Sequence, residues 1–64
     1  MKDKVFYEIG EIVFDKTLRE RCAVLSQDGQ EGLRVRALSS DDGSFRWVSL
    51  ENIERLTDNV KVNV

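Results

Sequence analysis

The sequence predicts an all-β fold: a small, strongly bent barrel of five short antiparallel strands, or six if the tail pairs, with one short helical turn near residues 51–53. Three observations carry this. Apolar and polar residues alternate with period two in short runs, of which Leu33-Arg34-Val35-Arg36-Ala37 is the clearest. Reversal signals, Asp28-Gly29 and Ser39-Ser40-Asp41-Asp42-Gly43-Ser44, separate those runs. No stretch reads as a long helix. Short strands and turns without helices imply a sandwich or a barrel. At 64 residues a two-sheet sandwich is too large, and closure into a barrel removes open edges.

Taken in order, Met1 to Lys4 reads as a frayed end, and the ordered core as about residues 5–57 of a single domain spanning 1–64. Val5, Phe6, Tyr7 and Ile9 form an apolar lead-in that Gly10 breaks. Glu11 to Asp15 is the first strand, with Ile12 and Phe14 on one face and Val13 on the other. Lys16 to Arg19 is a charged connector, with Thr17-Leu18 as its candidate buried pin. Glu20 to Gln27 is the second strand. Cys22 and Val24 share one of its faces, Ala23 and Leu25 the other, so part of it is covered on both sides. Gln30-Glu31-Gly32 widens the Asp28-Gly29 turn. Leu50-Glu51-Asn52-Ile53 places a polar pair between two apolar residues, which suits one tight helical turn. Glu54 to Thr57 is the last strand, with Leu56 inward. The tail, 58–64, turns at Asp58-Asn59 and then alternates from Val60 to Val64, as a sixth edge strand or a free end.

The densest pattern is the hairpin from Gly32 to Leu50, and its register is open. If Ser40 faces Gly43, Val35 lies opposite Val48 and Leu33 opposite Leu50. Arg36 then faces Trp47, and Arg34 faces Ser49, on the other side of the sheet. If Gly43 forms a left-handed bulge, Ser40 faces Ser44 and the second strand flips, carrying Phe45 and Trp47 into the core. The first register is preferred because Val48, Leu50 and Ile53 then form a run of core anchors.

Composition narrows the function. Ten basic and twelve acidic residues give a net charge of −2, which argues against bulk attraction to nucleic acid or anionic lipid. No apolar run approaches transmembrane length, and the N-terminus lacks the pattern of a secretory signal, so no membrane association and a cytoplasmic setting are expected. There is no histidine and one cysteine. That rules out an internal disulfide and a four-ligand zinc site. Cys22, in an apolar strand, reads as a small buried hydrophobe. Asp28-x-x-Glu31 and Asp41-Asp42 lack the ligand count of a calcium loop. No metal or cofactor is expected, and no enzyme, since nothing marks a carboxylate pair with shifted pKa values.

The pattern resembles the SH3-like small β-barrels, most closely their Tudor-like and KOW-like branch. The residues that carry the resemblance are Tyr7-Glu8-Ile9-Gly10-Glu11-Ile12-Val13 as an entry strand, Val24 before the Asp28-Gly29 turn, Val35 in the middle strand, and Trp47-Val48-Ser49-Leu50-Glu51-Asn52-Ile53-Glu54-Arg55-Leu56 as strand, helical turn and final strand. The resemblance covers about residues 7–57 and implies a binding module, for peptides, methylated side chains, nucleic acids or larger machines. A Tudor-type cage needs three or four aromatics converging from loops. Here Phe6, Tyr7, Phe14, Phe45 and Trp47 lie mostly in strands or the lead-in. An ALYDY-like element of a peptide-binding SH3 groove is absent from the sequence.

The expected function is therefore a non-enzymatic protein-interaction module or small accessory subunit, of a size that would suit a bacterial or phage-encoded protein, acting as a monomer or weak homo-oligomer. Its candidate contact surface is Arg34, Arg36, Arg46 and Trp47, rimmed by Asp41 and Asp42. Arginine stacks on aromatics and forks onto carboxylate or phosphate, and Arg–Trp patches are enriched at interfaces. One alternative is a nucleic-acid-binding barrel that uses Arg34, Arg36 and Arg46. The other is a structural protein that self-associates through residues 60–64.

Overall fold

Period-two alternation becomes five antiparallel strands: β1 Ile12–Asp15, β2 Glu20–Asp28, β3 Gly32–Ala37, β4 Arg46–Ser49 and β5 Ile53–Arg55. The structure, a computed structural model, describes residues 3–39, 43–56 and 61–62. Asp41 and Asp42, and the tail residues other than Lys61 and Val62, therefore lie outside the described residues. The strands form one sheet in the order β4-β3-β2-β1-β5. A single 3-10 turn, Leu50–Asn52, joins β4 to β5. It sits one residue earlier than expected because Ile53 is already extended and fills the first core position of β5. β5 accordingly turns Ile53 inward, and Leu56, half-buried, follows the strand.

The all-β class and the five strands are as expected, but the expected closure is corrected. β4 pairs with β3 and β5 with β1, and no ladder joins β4 to β5 among the described residues. The sheet is nevertheless rolled. Laid flat, its edge strands would stand about 19 Å apart at about 4.8 Å per spacing. The 3-10 turn between them reaches only about 8 Å at about 2 Å per residue. The sheet must curl until its edges meet across that turn. β2 makes this feasible, since its nine residues carry a register shift between Val24 and Ser26 that leaves Leu25 as an extra, bending residue.

The rolled face encloses Val13, Cys22, Val24, Leu33, Val35, Val48 and Ile53, with Tyr7 and Leu50 packed against them. Each fully buried aliphatic side chain stabilises by about 1.5–3 kcal/mol. Ala23 is also buried, so the middle of β2 is covered on both faces as expected. Val13 and Asp15 of β1, with Glu11 just before it, form its inward row, all buried. Two acids thus flank the valine.

Local geometry bears on two further expectations. Leu18 is 56% exposed and is no buried pin. The Asp15 carboxylate accepts the Thr17 N–H at 2.8 Å and Arg19 adopts a left-handed φ of 56°, so the connector turns tightly and throws Leu18 outward. Of the tail, Lys61 bridges Glu11, and the Val62 N–H donates to the Gly10 carbonyl at 2.8 Å. Gly10 makes room for this, as a Cβ there would collide with the Val62 carbonyl. Among the described residues no helix is long and apolar enough to cross a membrane.

Candidate functional site

The β3–β4 register follows neither tight-turn alternative. Gly32 pairs with Ser49, Leu33 with Val48, Arg34 with Trp47 and Val35 with Arg46. Relative to the preferred alternative the strands slide by two residues, across a connection that runs from Leu38 to Phe45. A slide of two preserves the facing of every side chain. Val48 therefore stays inside and Trp47 outside, but Trp47 meets Arg34 and not Arg36. Gly43 does take a positive φ, 74°, without flipping the strand.

Trp47 is 52% exposed, and Gly32 explains how it is held. A Cβ at Gly32 would collide with the indole and with the Val48 carbonyl oxygen, so the ring lies directly over the glycine backbone. Gly32 is buried for the same reason. Beside the indole, the Arg34 guanidinium lies 5.2 Å from the centre of the Phe45 ring, a cation–π arrangement worth about 0.5–1 kcal/mol in the open. Phe45 is 61% exposed. Arg36 shares this outward face, half-buried opposite Ala23. Arg34, Phe45 and Trp47 thus form one surface of two aromatic rings and a cation, with Arg36 beyond it.

Arg46 does not join them. Paired with Val35, it points to the inner face. Its Nη2 donates to Asp15 Oδ2 at 2.7 Å and to Glu20 Oε1 at 2.9 Å, and its Nε also reaches Asp15, at 3.2 Å. Burial alone would raise the Asp15 carboxyl. The Arg46 hydrogen bond and the Thr17 and Leu18 N–H groups outweigh it and hold the carboxyl below its ordinary value. The buried Glu11 carboxylate also meets an arginine, accepting from Arg55 Nε at 2.9 Å. The buried acids Glu11 and Asp15 are each neutralised by an arginine from a distant strand, as burial of charge requires. Among the described residues no buried polar side-chain atom is left unpaired. Arg46 is thus removed from the expected contact surface, because an inward register position and a buried carboxylate claim it.

Arg46 and Asp15 instead form one wall of a groove of about 230 Å³ between the β1–β2 connector and β4. Leu18, Trp47, Ser49 and Asn52 also line it. Leu18 and Trp47 are the exposed apolar groups at its rim. Sequence reasoning missed Phe45, Leu18 and Gly32. A glycine opening a strand diagonal to a tryptophan is the signal that points to Gly32. Leu18 had none, since its exposure depends on the Asp15 turn.

Cys22 is buried, and burial pushes its thiol up to about 11, far from the thiolate a nucleophile needs. Among the described residues no cluster of His, Cys, Asp and Glu is placed to hold a metal ion. The chain matches no family model, no curated protein and no solved structure.

Proposed function

We propose that this protein is a non-enzymatic protein-interaction module built on an SH3-like rolled sheet. Its contact surface is the outer face of the β3–β4 hairpin, with Trp47 at the centre, Arg34, Arg36 and Phe45 beside it, and the groove behind it. The strand order β4-β3-β2-β1-β5, with a 3-10 turn between β4 and β5, supports the SH3-like reading. A cytoplasmic setting fits the single free thiol.

One observation carries the functional reading: a tryptophan half open to solvent yet fixed in place by a glycine it lies on. A large ring held rigid at the surface loses little entropy on binding and buries much apolar area. Such residues dominate interface energetics, and truncating one typically costs about 2 kcal/mol or more of binding. The test is Trp47→Ala in capture from the source cell. We expect the variant to keep its far-ultraviolet circular dichroism and its cooperative melting, and to lose the protein retained by the wild type. Unchanged capture, or collapse of the fold, would overturn the reading.

A second reading rests on the Arg34–Phe45 stack, with Arg36 on the same face. Exposed aromatics among arginines also suit single-stranded nucleic acid, whose bases stack on rings. Oligonucleotide binding that falls steeply with salt would favour it. Absence of any shift in low salt would end it. Self-association through the tail has less to offer, since Lys61 and Val62 already pair with Glu11 and Gly10.

A further inference from the structure

The rolled sheet has two edges, and they differ in what their main chain leaves open. On β5 the Ile53 N–H already donates to the Leu50 carbonyl and ends the 3-10 turn. On β4 the Leu50 N–H donates to the Glu31 carbonyl at 2.9 Å, and the Val48 carbonyl faces Gly32. Main-chain groups point to alternate sides along a strand. Arg46, Val48 and Leu50 therefore bond to the β3 side, and Trp47 and Ser49 turn their main-chain groups to the open edge. The Ser49 carbonyl begins the 3-10 turn. The Trp47 N–H, the Trp47 carbonyl and the Ser49 N–H remain, with no hydrogen-bond partner among the described residues. Donors and acceptors at this spacing are what a second extended chain pairs with.

The ground beside that edge favours such a chain. The groove of about 230 Å³ runs between β4 and the β1–β2 connector, with Leu18 and Trp47 as its apolar rim. Arg46 in its wall is already matched by Asp15 and Glu20. The outer face differs in charge. Arg34 and Arg36 form no ion pair among the described residues, in a chain whose net charge is −2. Arg34 reaches onto Phe45, so its charge stands over the start of β4, about one strand spacing, about 4.8 Å, from an added chain.

We propose that the free edge of β4 receives an extended, acidic peptide segment of a partner protein as a sixth strand. This rests on the interaction surface proposed above and specifies the form in which the partner binds it. The main chain of the segment bonds to Trp47 and Ser49. Its alternate side chains divide between the two faces, as in any strand. Apolar ones enter the groove beside Leu18, and carboxylates lie on the outer face toward Arg34 and Arg36. Strand addition of this kind takes affinity from main-chain bonds and specificity from alternate side chains. The unmatched arginines make the acidic segment the favoured occupant over a second copy of β4, which would bring Arg34 and Arg36 again.

The probe is an acetylated, amidated peptide of alternating glutamate and valine, titrated into the full chain and followed by amide resonances and amide exchange. In the free chain the Trp47 and Ser49 amides should exchange fast and those of Val48 and Leu50 slowly. Peptide should shift the first two and slow their exchange. N-methylation of every second peptide residue removes the bonds to β4 in one phase and leaves them in the other. One methylated peptide should therefore lose binding by about tenfold or more, and the other should keep it. A lysine–valine peptide should bind about tenfold more weakly than the acidic one. Ser49 already has φ −62°, so Ser49→Pro fits the backbone. It removes the outward N–H without breaking a ladder bond, and the ring obstructs the edge. That variant should keep its circular dichroism and lose peptide binding. Tolerance of both methylations, loss in both, equal binding of the lysine peptide, or undiminished binding by folded Ser49→Pro would each overturn the proposal. So would a wild-type dimer that Ser49→Pro abolishes, since a second copy would then hold the edge. If Ser49→Pro captures the same cellular protein as wild type while Trp47→Ala does not, the interaction surface stands and strand addition fails.

Discussion

Arg34 and Arg46 sit on the same hairpin, one residue position out of register, and meet opposite fates. Arg46 turns inward and is shared between Asp15 and Glu20, with Asp15 fully buried. Arg34 turns outward and lies on Phe45, with both rings of the patch more than half exposed. The difference is one of register parity, not of chemistry. It teaches that on this small sheet the inner face uses charge to complete a core too small to be purely apolar. The outer face leaves its aromatic surface unburied, and the proposed interaction rests on that surface.

The sharpest way to break this contrast is to empty the inner side. Asp15→Ala leaves Arg46 half-buried with only Glu20. Loss of one partner from a buried pair costs about 3–5 kcal/mol, and the partial exposure of Arg46 places this case near about 3 kcal/mol. A domain of this length has roughly 3–10 kcal/mol in total. We expect a much lower urea midpoint, or outright unfolding. A loss below about 1 kcal/mol would show that the pair is ornamental and the contrast false.

Much of this was legible from residues alone, and the exceptions share a cause. Alternation in Leu33 to Ala37 located β3 and its faces, and the polar pair in Leu50 to Ile53 located the turn. The parity that keeps Trp47 outside followed from Val48 and Ile53 as anchors. The buried acids at and just before β1 were invisible because hydropathy sends Glu11 and Asp15 to solvent. Their partners lie 44 and 31 residues away, and only the rolled sheet brings them together. Leu18 misled for the same reason, since its place is set by a turn that Asp15 organises. Closure failed because strand count and turn spacing do not reveal whether edge strands bond or merely meet across a turn.

The outer face yields next. Gly32→Ala would drive a methyl group into the Trp47 indole and the Val48 carbonyl. The indole can move but the carbonyl belongs to a paired strand, so about 1–3 kcal/mol of overpacking cost is expected. The chain has one tryptophan, so its fluorescence reports this site alone. A shifted emission maximum in the folded state, with a lowered midpoint, is the expected result. An unchanged spectrum would mean that the ring does not rest on Gly32.

Acid should separate the faces without mutation. Asp15 titrates below its ordinary value of 3.8 in the folded chain, so the unfolded chain takes up the proton first as pH falls. Its contribution is present above that value and is lost as pH drops through the folded one. Asp15→Asn should therefore flatten the stability profile below pH 3.8 relative to the wild type. An identical slope in that window would remove Asp15 from the account of acid unfolding.

The smallest effect is the most telling for the contrast. Arg34→Ala removes an exposed cation–π contact and leaves Phe45 in place, a loss of about 0.5 kcal/mol. Arg46→Ala, on the same hairpin, strands the buried Asp15 carboxylate and should cost several times as much. Both replacements remove one arginine and the same charge, so charge balance cannot explain a difference. If urea midpoints separate the two variants as expected, register parity alone decides which arginine is structural. Under the proposed function, loss of Arg34 should then show in binding before it shows in folding.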